Sequence, residues 1–372
     1  MKRFKVLDSF RGIAALMVAI YHLQIFGFIS NANIVKNSYL FVEFFFVLSG
    51  FVICYSYEHR INDFSDLKTF MKKRIARIWP LHIFMTFLFI PFALANMFFY
   101  IDVGDRFSLF SLFTNLFLIQ ALNVNDGTTW NIPAWSISVE LYTYFAFGVL
   151  CVFLLRANIN RKLSYFLISI TSVLVLYRYS DMGDAHHLAI FRCLYSFFLG
   201  ALASTIFRLV PVKPWMEMFV VIVLLSVFIL IRIDNDSLLS FLMPLLFFLI
   251  ILVFSHQSGI VSRFLDRSFF EKLGMLSFSI YLTHTWFISS IKAFATISEK
   301  YLNYKFMYMI DGSRIIDFGI SYFNDLFYIP YLIVVVIFSY FTYAYIELPW
   351  QRKIKSINFS SVEKPKTTEF KV

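Results

Sequence analysis

Apolar residues dominate this chain in long runs that recur from one end to the other. A run of about 18 or more apolar residues is long enough to cross a hydrocarbon core of about 30 Å. Ten runs are predicted to span a membrane, near residues 10–29, 38–56, 79–100, 133–155, 163–179, 187–207, 215–232, 238–255, 273–296 and 327–347. The pattern predicts an all-α, polytopic integral membrane protein with one membrane domain (1–352) and a short polar tail (353–372).

Two apolar segments can be interpreted in more than one way. The first follows the basic start "MKRFK", which is also typical of signal peptides, but the run is long for one and "FISNANIVK" offers no cleavage site. We therefore expect a retained first helix. The segment "FSLFSLFTNLFLIQAL" (107–122) is short and rich in Ser, Thr and Asn. It could span the membrane, lie at one surface or re-enter.

The distribution of charge sets the expected orientation. The 372 residues are 59% hydrophobic and 15% charged with a net charge of +10, and an ordinary soluble domain is about a quarter charged. If the N-terminus is cytoplasmic and 107–122 does not cross, 24 of the 33 Lys and Arg residues lie in cytoplasmic segments and seven outside. That bias follows the positive-inside rule, so ten spans with both termini cytoplasmic are predicted.

Composition also argues against two other kinds of site. The basic residues are spread over several cytoplasmic loops without a nucleic-acid-binding motif, so no nucleic-acid partner is expected. Cys54, Cys151 and Cys193 all fall within apolar segments, and their spacing suggests neither a metal site nor a disulfide framework. We predict no metal.

Few ionisable side chains lie within the predicted spans, and such residues are functional hypotheses by default because burying them in a membrane is costly. They are His22, Glu43, Glu140, Arg192 and His284, with His82 and Glu347 near cytoplasmic ends. At about 1.5 Å of rise per residue, most of them fall in the outer half of the membrane. The alternatives are a structural histidine that donates to a carbonyl and carboxylates that pair with Arg192 or a histidine.

Arg11 and His22 lie on one face of the first predicted helix. Their separation of eleven residues leaves about 20° between them and places them roughly 16 Å apart along the axis. Arg11 is then at the cytoplasmic end and His22 past the middle. A buried neutral histidine suits a general base, and a carboxylate can orient it.

Three further patterns carry candidate chemistry. In "WNIPAWSISVELY" the spacing of Ser136 and Glu140 places them on one helical face, with Trp135 beside them. The small pair that begins at Ser49 in "FFFVLSGF" allows close helix approach. "MKKRIARIWP" places two arginines three apart at the start of a helix capped by Pro80.

The arginines of that third pattern, Arg74 and Arg77, have two interpretations. Guanidinium groups at this spacing can converge on phosphates with bidentate geometry. Basic residues at a cytoplasmic helix end are also ordinary orientation signals.

Together these motifs resemble the membrane acyltransferase family 3, whose members transfer acyl groups, often acetyl, to extracytoplasmic sugars such as O-antigen and capsule. The resemblance runs from residue 7 to 352 through "LDSFRG…YH", "VEFFFVLSGF", "KRIARIWP", "AWSISVE", "FRCLYSFFLG", "SFSIYLTH" and "YIELPW", in that order. Phe278 stands where the family often has Tyr. Some members carry a soluble C-terminal domain, whereas this chain resembles the stand-alone form.

The resemblance implies separate roles for the donor-binding, catalytic and acceptor-side residues. Acyl-CoA, expected to be acetyl-CoA, is a co-substrate that docks from the cytoplasm near Arg11, Arg74 and Arg77, and no bound cofactor is expected. His22, with Glu140, is the expected catalytic base that takes a proton from a hydroxyl of an envelope glycan or its lipid-linked precursor. Acceptor-binding or site-supporting roles are expected for Glu43, Ser49, Trp135, Ser136, Arg192 and His284.

The expected location is the bacterial plasma membrane, where the chain is multi-pass and surrounded by lipids. The main alternative is a lipid-linked sugar flippase or exporter. Such transporters tend to show internal repeats and broken helices, and we find no repeat of useful length. A third possibility, a structural partner in a synthase complex, predicts that changes at His22 and Glu140 are tolerated.

Overall fold

The computed structural model describes residues 3–99, 104–310 and 313–356, which are mostly helical. The helices of the first half are α1 (Lys5–His22), α2 (Phe28–Asn31), α3 (Asn33–Lys36), α4 (Phe41–Tyr57), α5 (Phe64–Leu88), α6 (Ile90–Phe98), α7 (Leu109–Leu116) and α8 (Ala134–Ala157). Those of the second half are α9 (Arg161–Tyr179), α10 (Ala189–Ile206), α11 (Trp215–Leu230), α12 (Leu238–Phe254), α13 (Ile260–Leu265), α14 (Ser268–Leu302), α15 (Ser321–Leu326), α16 (Tyr328–Thr342) and α17 (Leu348–Ser356).

Two helix pairs form the centre of the fold. Helix α4 packs along α10, and α1 packs along α14. Helices α9, α12 and α8 pack against α10, while α5 packs against α8. Five of these helices, α1, α4, α5, α8 and α14, surround the candidate site described below.

The outer surface of the fold is apolar, as expected of a membrane protein. Five helical stretches of the described chain are long and apolar enough to cross a membrane: Asn33–Tyr57, Phe64–Phe98, Ala134–Ala157, Ala189–Ile206 and Ser321–Lys353. Helices α11 and α12 are apolar but shorter. Outward-facing side chains on α11 and α16 that are more than half exposed include Phe219, Ile222, Ile229, Ile329, Ile333 and Ile337. Apolar side chains can face lipid without loss, and the helix itself provides the hydrogen bonds that its backbone N–H and C=O groups need.

Most predicted spans coincide with observed helices. The ranges 38–56, 133–155, 163–179, 187–207, 215–232 and 238–255 match α4 and α8–α12 to within three residues at either end. The range 273–296 lies inside the longer α14, and 327–347 is formed by α16 and a π-helical turn at Tyr343–Glu347. In the predicted tail, residues 353–356 belong to α17, and 357–372 lie outside the described residues.

The prediction of a first helix over 10–29 was wrong at both ends, because α1 begins at Lys5 and ends at His22. Beyond His22 the backbone bonds to a hairpin instead of continuing the helix. Phe26 N donates to Ile316 O (2.8 Å), and Ile316 N donates to Gln24 O (3.1 Å). His22 therefore lies at a helix end rather than deep inside an apolar helix.

That hairpin, of strands β1 (Met307–Ile310) and β2 (Ser313–Ile316), was not predicted. The strands are antiparallel, with Met307 opposite Ile316. It is a small exception to the all-α prediction.

The prediction that Pro80 ends the basic segment at a helix start was also wrong. Helix α5 covers Phe64–Leu88, so Pro80 lies inside it, and the helix begins well before the predicted range 79–100. The side chain of Asp63 caps its N-terminus by accepting from Asp66 N at 2.8 Å. An internal proline is tolerated in membrane helices because neighbouring groups can satisfy the freed carbonyl. Arg74 and Arg77 therefore project from the middle of a helix.

The segment 107–122 contains only one short helix, α7. Its eight residues extend about 12 Å, too short to cross a core of about 30 Å. Buried polar contacts anchor it: Asn115 Nδ2 donates to Thr129 Oγ1 (2.7 Å), and Trp130 Nε1 donates to Ser111 Oγ (3.0 Å). The segment is packed against the protein by these bonds.

Close approach of α4 and α10 depends on two glycines. A Cβ at Gly200 would collide with Val47 O and lie 2.8 Å from Phe51 N. A Cβ at Gly50 would collide with Phe197 O and lie 2.7 Å from Phe197 C. Because these are backbone atoms, neither clash can be relieved by a rotamer change. This contact sets the position of Ser49, beside Gly50.

Gly200→Ala should therefore lower the free energy of unfolding by about 1–3 kcal/mol, the range expected for an overpacked core. Thermal unfolding of the purified protein in detergent measures this. Gly127→Ala is the matched control, because a Cβ there has nothing within 4 Å. Equal melting temperatures for the two variants would contradict the packing argument.

Candidate active site

A cavity of about 110 Å³ lies between α1, α4, α5, α8 and α14. Its polar lining is contributed by all five helices and consists of Arg11, Ser49, Arg74, Arg77, Ser136, Glu140, Tyr144, Ser277 and Tyr281. Three guanidinium groups and one carboxylate thus share this space. Six of these nine residues were predicted from the sequence to belong to the site, although they come from distant parts of the chain.

Arg11 reaches from α1 to α14. Its Nε donates to Ser277 Oγ (2.7 Å) and its Nη2 to Gly274 O (3.0 Å). Its Nη1 lies 3.6 Å from the Asp8 carboxylate. These contacts hold the guanidinium at the cavity wall between the two helices.

The guanidinium groups from α5 are less fully paired. Arg74 donates to Tyr57 OH (3.3 Å) and lies 5.2 Å from the centre of that ring, while its buried Nε has no hydrogen-bond partner in the described chain. Arg77 makes no hydrogen bond or ion pair with another described residue. Unused donors facing one cavity create a setting that favours an anion with several oxygen acceptors.

Glu140 is held by hydroxyl groups. Ser49 Oγ and Tyr144 OH both donate to its Oε1, the latter at 2.5 Å. No hydrogen bond or ion pair among the described residues joins Glu140 to His22, and the catalytic role of Glu140 stays a prediction. Tyr144 was not identified from the sequence, although its spacing of four from Glu140 was the available signal.

Ser136 links α8 to α14. Its hydroxyl donates to Pro133 O (3.0 Å) and lies 2.8 Å from Tyr281 OH, which is then the donor in that contact. The ring of Trp135, the next residue on α8, lies against Phe46 at 6.1 Å.

The second carboxylate, Glu43, forms a buried ion pair. Arg192 Nη2 and Nε donate to Glu43 Oε1 at 2.6 and 2.9 Å, and Ser196 Oγ donates to Oε2 at 2.5 Å. The guanidinium also lies 4.7 Å from the centre of the Trp135 ring. Both oxygens of Glu43 and two of the three guanidinium nitrogens of Arg192 are thereby occupied, and neither residue is among those that line the cavity.

The remaining donor of Arg192 fixes a loop. Its Nη1 donates to Asp184 O at 2.6 Å. Burial opposes ionisation of the Asp184 carboxyl, but hydrogen bonds from Ser180 and three backbone N–H groups lower its pKa overall. The loop before α10 is therefore anchored at both its backbone and its side chain.

His22 and His284 meet across the interface of α1 and α14. His284 Nε2 lies 3.3 Å from His22 Nδ1, which also lies 2.9 Å from Val18 O. His284 Nδ1 lies 3.1 Å from Ile280 O. If each Nδ1 carries the proton, it donates to its own helix, and His22 Nδ1–H is shared with His284 Nε2. This tautomer leaves His22 Nε2 with a free lone pair, and no described residue bonds to it.

The histidine pair and the cavity are aligned along α14. Ser277 contacts Arg11, Tyr281 contacts Ser136, and His284 contacts His22. Spacings of four and three residues keep these side chains on one helical face, with about 10 Å between the first and the last. A molecule held by the arginines at one end could thus place a reactive group near His22.

No cluster of three or more His, Cys, Asp or Glu residues that could hold a metal occurs within 3–99, 104–310 and 313–356. The three cysteines are buried, and none of them lines this cavity.

Comparison with known proteins points to acyl transfer. Protein 2 in the picA locus of Rhizobium radiobacter is 32% identical over 156 residues, covering 38% of this chain and 78% of that protein. A putative O-acetyltransferase of Staphylococcus aureus is 26% identical, covering 95% of this chain and 58% of that protein. The O-acetyltransferase OatA of S. aureus is 24% identical over 314 residues, covering 75% of this chain and 49% of that protein.

The chain thus spans about half the length of the two staphylococcal proteins. No solved structure matches it. The family model described as an acyltransferase domain matches residues 4–343, nearly the whole chain. The protein therefore belongs to the acyltransferase family 3.

Proposed function

We propose that this protein is a plasma-membrane O-acyltransferase. It transfers an acyl group, expected to be acetyl, from cytoplasmic acyl-CoA to a hydroxyl of an extracytoplasmic sugar in an envelope polysaccharide or its lipid-linked precursor. The observation that carries the proposal is the placement of two residues on one face of α14: Ser277, which contacts Arg11 in a cavity lined by three arginines, and His284, about 10 Å further along the axis, which contacts His22. Two staphylococcal relatives named as O-acetyltransferases support the choice of acetyl.

The arginines would bind the donor. Arg11, Arg74 and Arg77 present guanidinium donors to one cavity, and the phosphate groups of CoA are matching acceptors. The long pantetheine arm would then extend along α14 and present the thioester to His22. Orientation follows from the distribution of charge, which favours ten spans with both termini and the arginine end of the cavity toward the cytoplasm.

The chemistry assigned to His22 is general base catalysis. Nε2 accepts the proton of the acceptor hydroxyl as the hydroxyl oxygen attacks the thioester carbonyl. The new C–O bond forms, the C–S bond breaks, and the proton passes from His22 to the departing CoA sulfur. His22 Nδ1–H keeps its contacts with Val18 O and His284 throughout, which stabilises the transient imidazolium.

Arg77→Ala should raise the KM for acetyl-CoA by roughly 10- to 100-fold with a smaller effect on kcat, because a charge-assisted hydrogen bond contributes about 1.5–3 kcal/mol. Initial rates at varied acetyl-CoA concentration measure this. Lys72→Ala removes a positive charge from the exposed face of the same helix and should leave KM unchanged. A KM shift shared by both variants would indicate a general field effect rather than donor binding.

Labelled acetyl-CoA separates this function from that of a flippase. Membranes containing the protein should convert [¹⁴C]acetyl-CoA into an alkali-labile ester in the glycan fraction. Membranes lacking it should not. Export of a lipid-linked sugar with no consumption of acetyl-CoA would instead favour the transporter.

A further inference from the structure

A second cavity, which the reaction proposed above does not use, lies near the C-terminal end of α14. It has a volume of about 370 Å³ and is bounded by α6, α14, the 3₁₀ turn Gly104–Phe107 and β2. Four cationic side chains line it: Arg106, Lys292, Lys300 and Arg314. We call it the outer cavity, because the proposed orientation places it on the extracytoplasmic side.

The positive charge of the outer cavity is largely uncompensated within the described chain. None of the described residues that line it is Asp or Glu. The side chains of Lys292 and Arg314 make no hydrogen bond or ion pair with a described residue, and the buried Nε of Arg106 also has no partner there. Like charges gathered in a partly enclosed space repel one another, and a bound anion would remove that repulsion.

The other lining residues suit a sugar. Aromatic side chains offer flat apolar surfaces, and three uncharged polar side chains offer hydrogen bonds. These residues are Phe92, Phe99, Phe107 and Tyr301, with Asn96, Ser289 and Thr296. A volume of a few hundred Å³ with an apolar lining and a few polar groups is typical of a small-molecule site.

The charge distribution of the whole chain makes this cluster unusual. Lys and Arg are depleted from the segments assigned to the outside, where only seven of 33 occur. Three of those seven, Arg106, Lys300 and Arg314, line the outer cavity together with Lys292 from the end of a predicted span. The positive-inside rule does not explain these outside cations, and all four line one cavity. Their placement is better explained by the binding of an anion.

We propose that the outer cavity binds an anionic sugar residue of the acceptor, one that carries a phosphate or a carboxylate. The inference rests on the proposed function and specifies its substrate class. Lys292 lies eight residues beyond His284 on α14, which is roughly 12 Å along the axis. The charged residue is anchored there, and a neighbouring part of the same glycan extends its hydroxyl toward His22.

Binding without any acyl donor tests this. The full chain in phosphatidylcholine nanodiscs is titrated with cellobiose, with cellobiouronic acid and with glucose 1-phosphate. At least one charged sugar should bind about tenfold more tightly than cellobiose, and the two charged probes distinguish a carboxylate from a phosphate. Lys292→Gln combined with Arg314→Gln should remove that preference, since removing one charge-assisted hydrogen bond to a ligand weakens binding about tenfold or more.

Lys305→Gln is the matched control. Lys305 is exposed, pairs with Glu299 (3.4 Å) and does not line the outer cavity, so binding should not change. Equal binding of all three sugars, or a preference that survives the double substitution, would overturn the inference. Loss of sugar binding when phosphatidylglycerol replaces phosphatidylcholine would also overturn it and identify a lipid site.

The inference and the proposed function fail in different ways. If acetyl-CoA is consumed and an ester forms, but charged sugars are not preferred, the transferase function stands and the acidic acceptor is ruled out. If charged sugars are preferred but no acyl transfer occurs, anion binding in the outer cavity stands and the transferase function is ruled out. Thermal unfolding of the double variant confirms that it is folded in either case.

Discussion

His22→Ala should reduce acyl transfer by at least roughly 10²-fold and up to about 10⁴-fold, the contribution typical of a general base. The reason is geometric. His22 Nε2 is the unpaired imidazole nitrogen at the end of the row of groups on α14, and its Nδ1–H is held by Val18 O and His284 Nε2. Alanine removes this acceptor, and the remaining acceptor of the pair, His284 Nε2, belongs to a side chain that is fully buried.

Rates and donor binding should be measured on the same His22→Ala preparation. Acetyl-CoA affinity should stay close to that of the unsubstituted protein, because the contact of Arg11 with Ser277 lies about 10 Å along α14 from the contact of His22 with His284. His59→Ala is the control, since His59 is largely exposed at 83% of its side-chain surface and lies outside the cavity between α1, α4, α5, α8 and α14. A His22→Ala protein that retains most of its transfer rate would contradict the assigned chemistry.

Glu43→Gln should lower the free energy of unfolding by about 3–5 kcal/mol, the second large effect. The substitution keeps the shape of the side chain but leaves the Arg192 guanidinium buried without its counter-charge. Arg192 and Glu43 expose 3% and 0% of their side-chain surfaces, so water cannot compensate. Thermal unfolding in detergent measures the loss.

Glu299→Gln provides the comparison for that experiment. Glu299 pairs with Lys305 at the surface, where both side chains are about half exposed, and such pairs contribute about 0–1 kcal/mol. The combined variant Glu43→Gln with Arg192→Met should recover part of the stability, because no unpaired buried charge remains. Loss of activity with unchanged stability in Glu43→Gln would instead mean that Glu43 acts on the substrate.

Much of the fold could be predicted from the sequence because membrane helices carry their signal in local hydropathy. The helices corresponding to α4 and α8–α12 were located to within a few residues. The end of α1 was not, because it depends on a distant group. The start of α5 was not, because residues 64–77 carry too many charges to be recognised as an apolar span. Pairing of Gln24 and Phe26 with Ile316 ends α1, and no local pattern announces this.

In the candidate site too, features set by local spacing could be predicted and contacts between helices could not. Helical spacing predicted that Ser136 and Glu140 share one face of α8, and both line the cavity. Arg74 and Arg77 also line it, although they lie inside α5. The partner of His22 could not be identified in this way. Depth estimates made Glu140 a candidate, whereas helix packing brings His284 of α14 to 3.3 Å. Which side chains meet between two helices depends on the angle and position at which the helices cross. Neither can be predicted from the local sequence of one helix.

Transfer across a sealed bilayer tests the central claim most directly. [¹⁴C]Acetyl-CoA is enclosed in proteoliposomes, and envelope glycan extracted from a strain that lacks the protein is supplied outside. The account predicts labelled ester on the external glycan with the unsubstituted protein and none with His22→Ala. Label that appears only when donor and glycan share one compartment, or that is equal for both proteins, would contradict it.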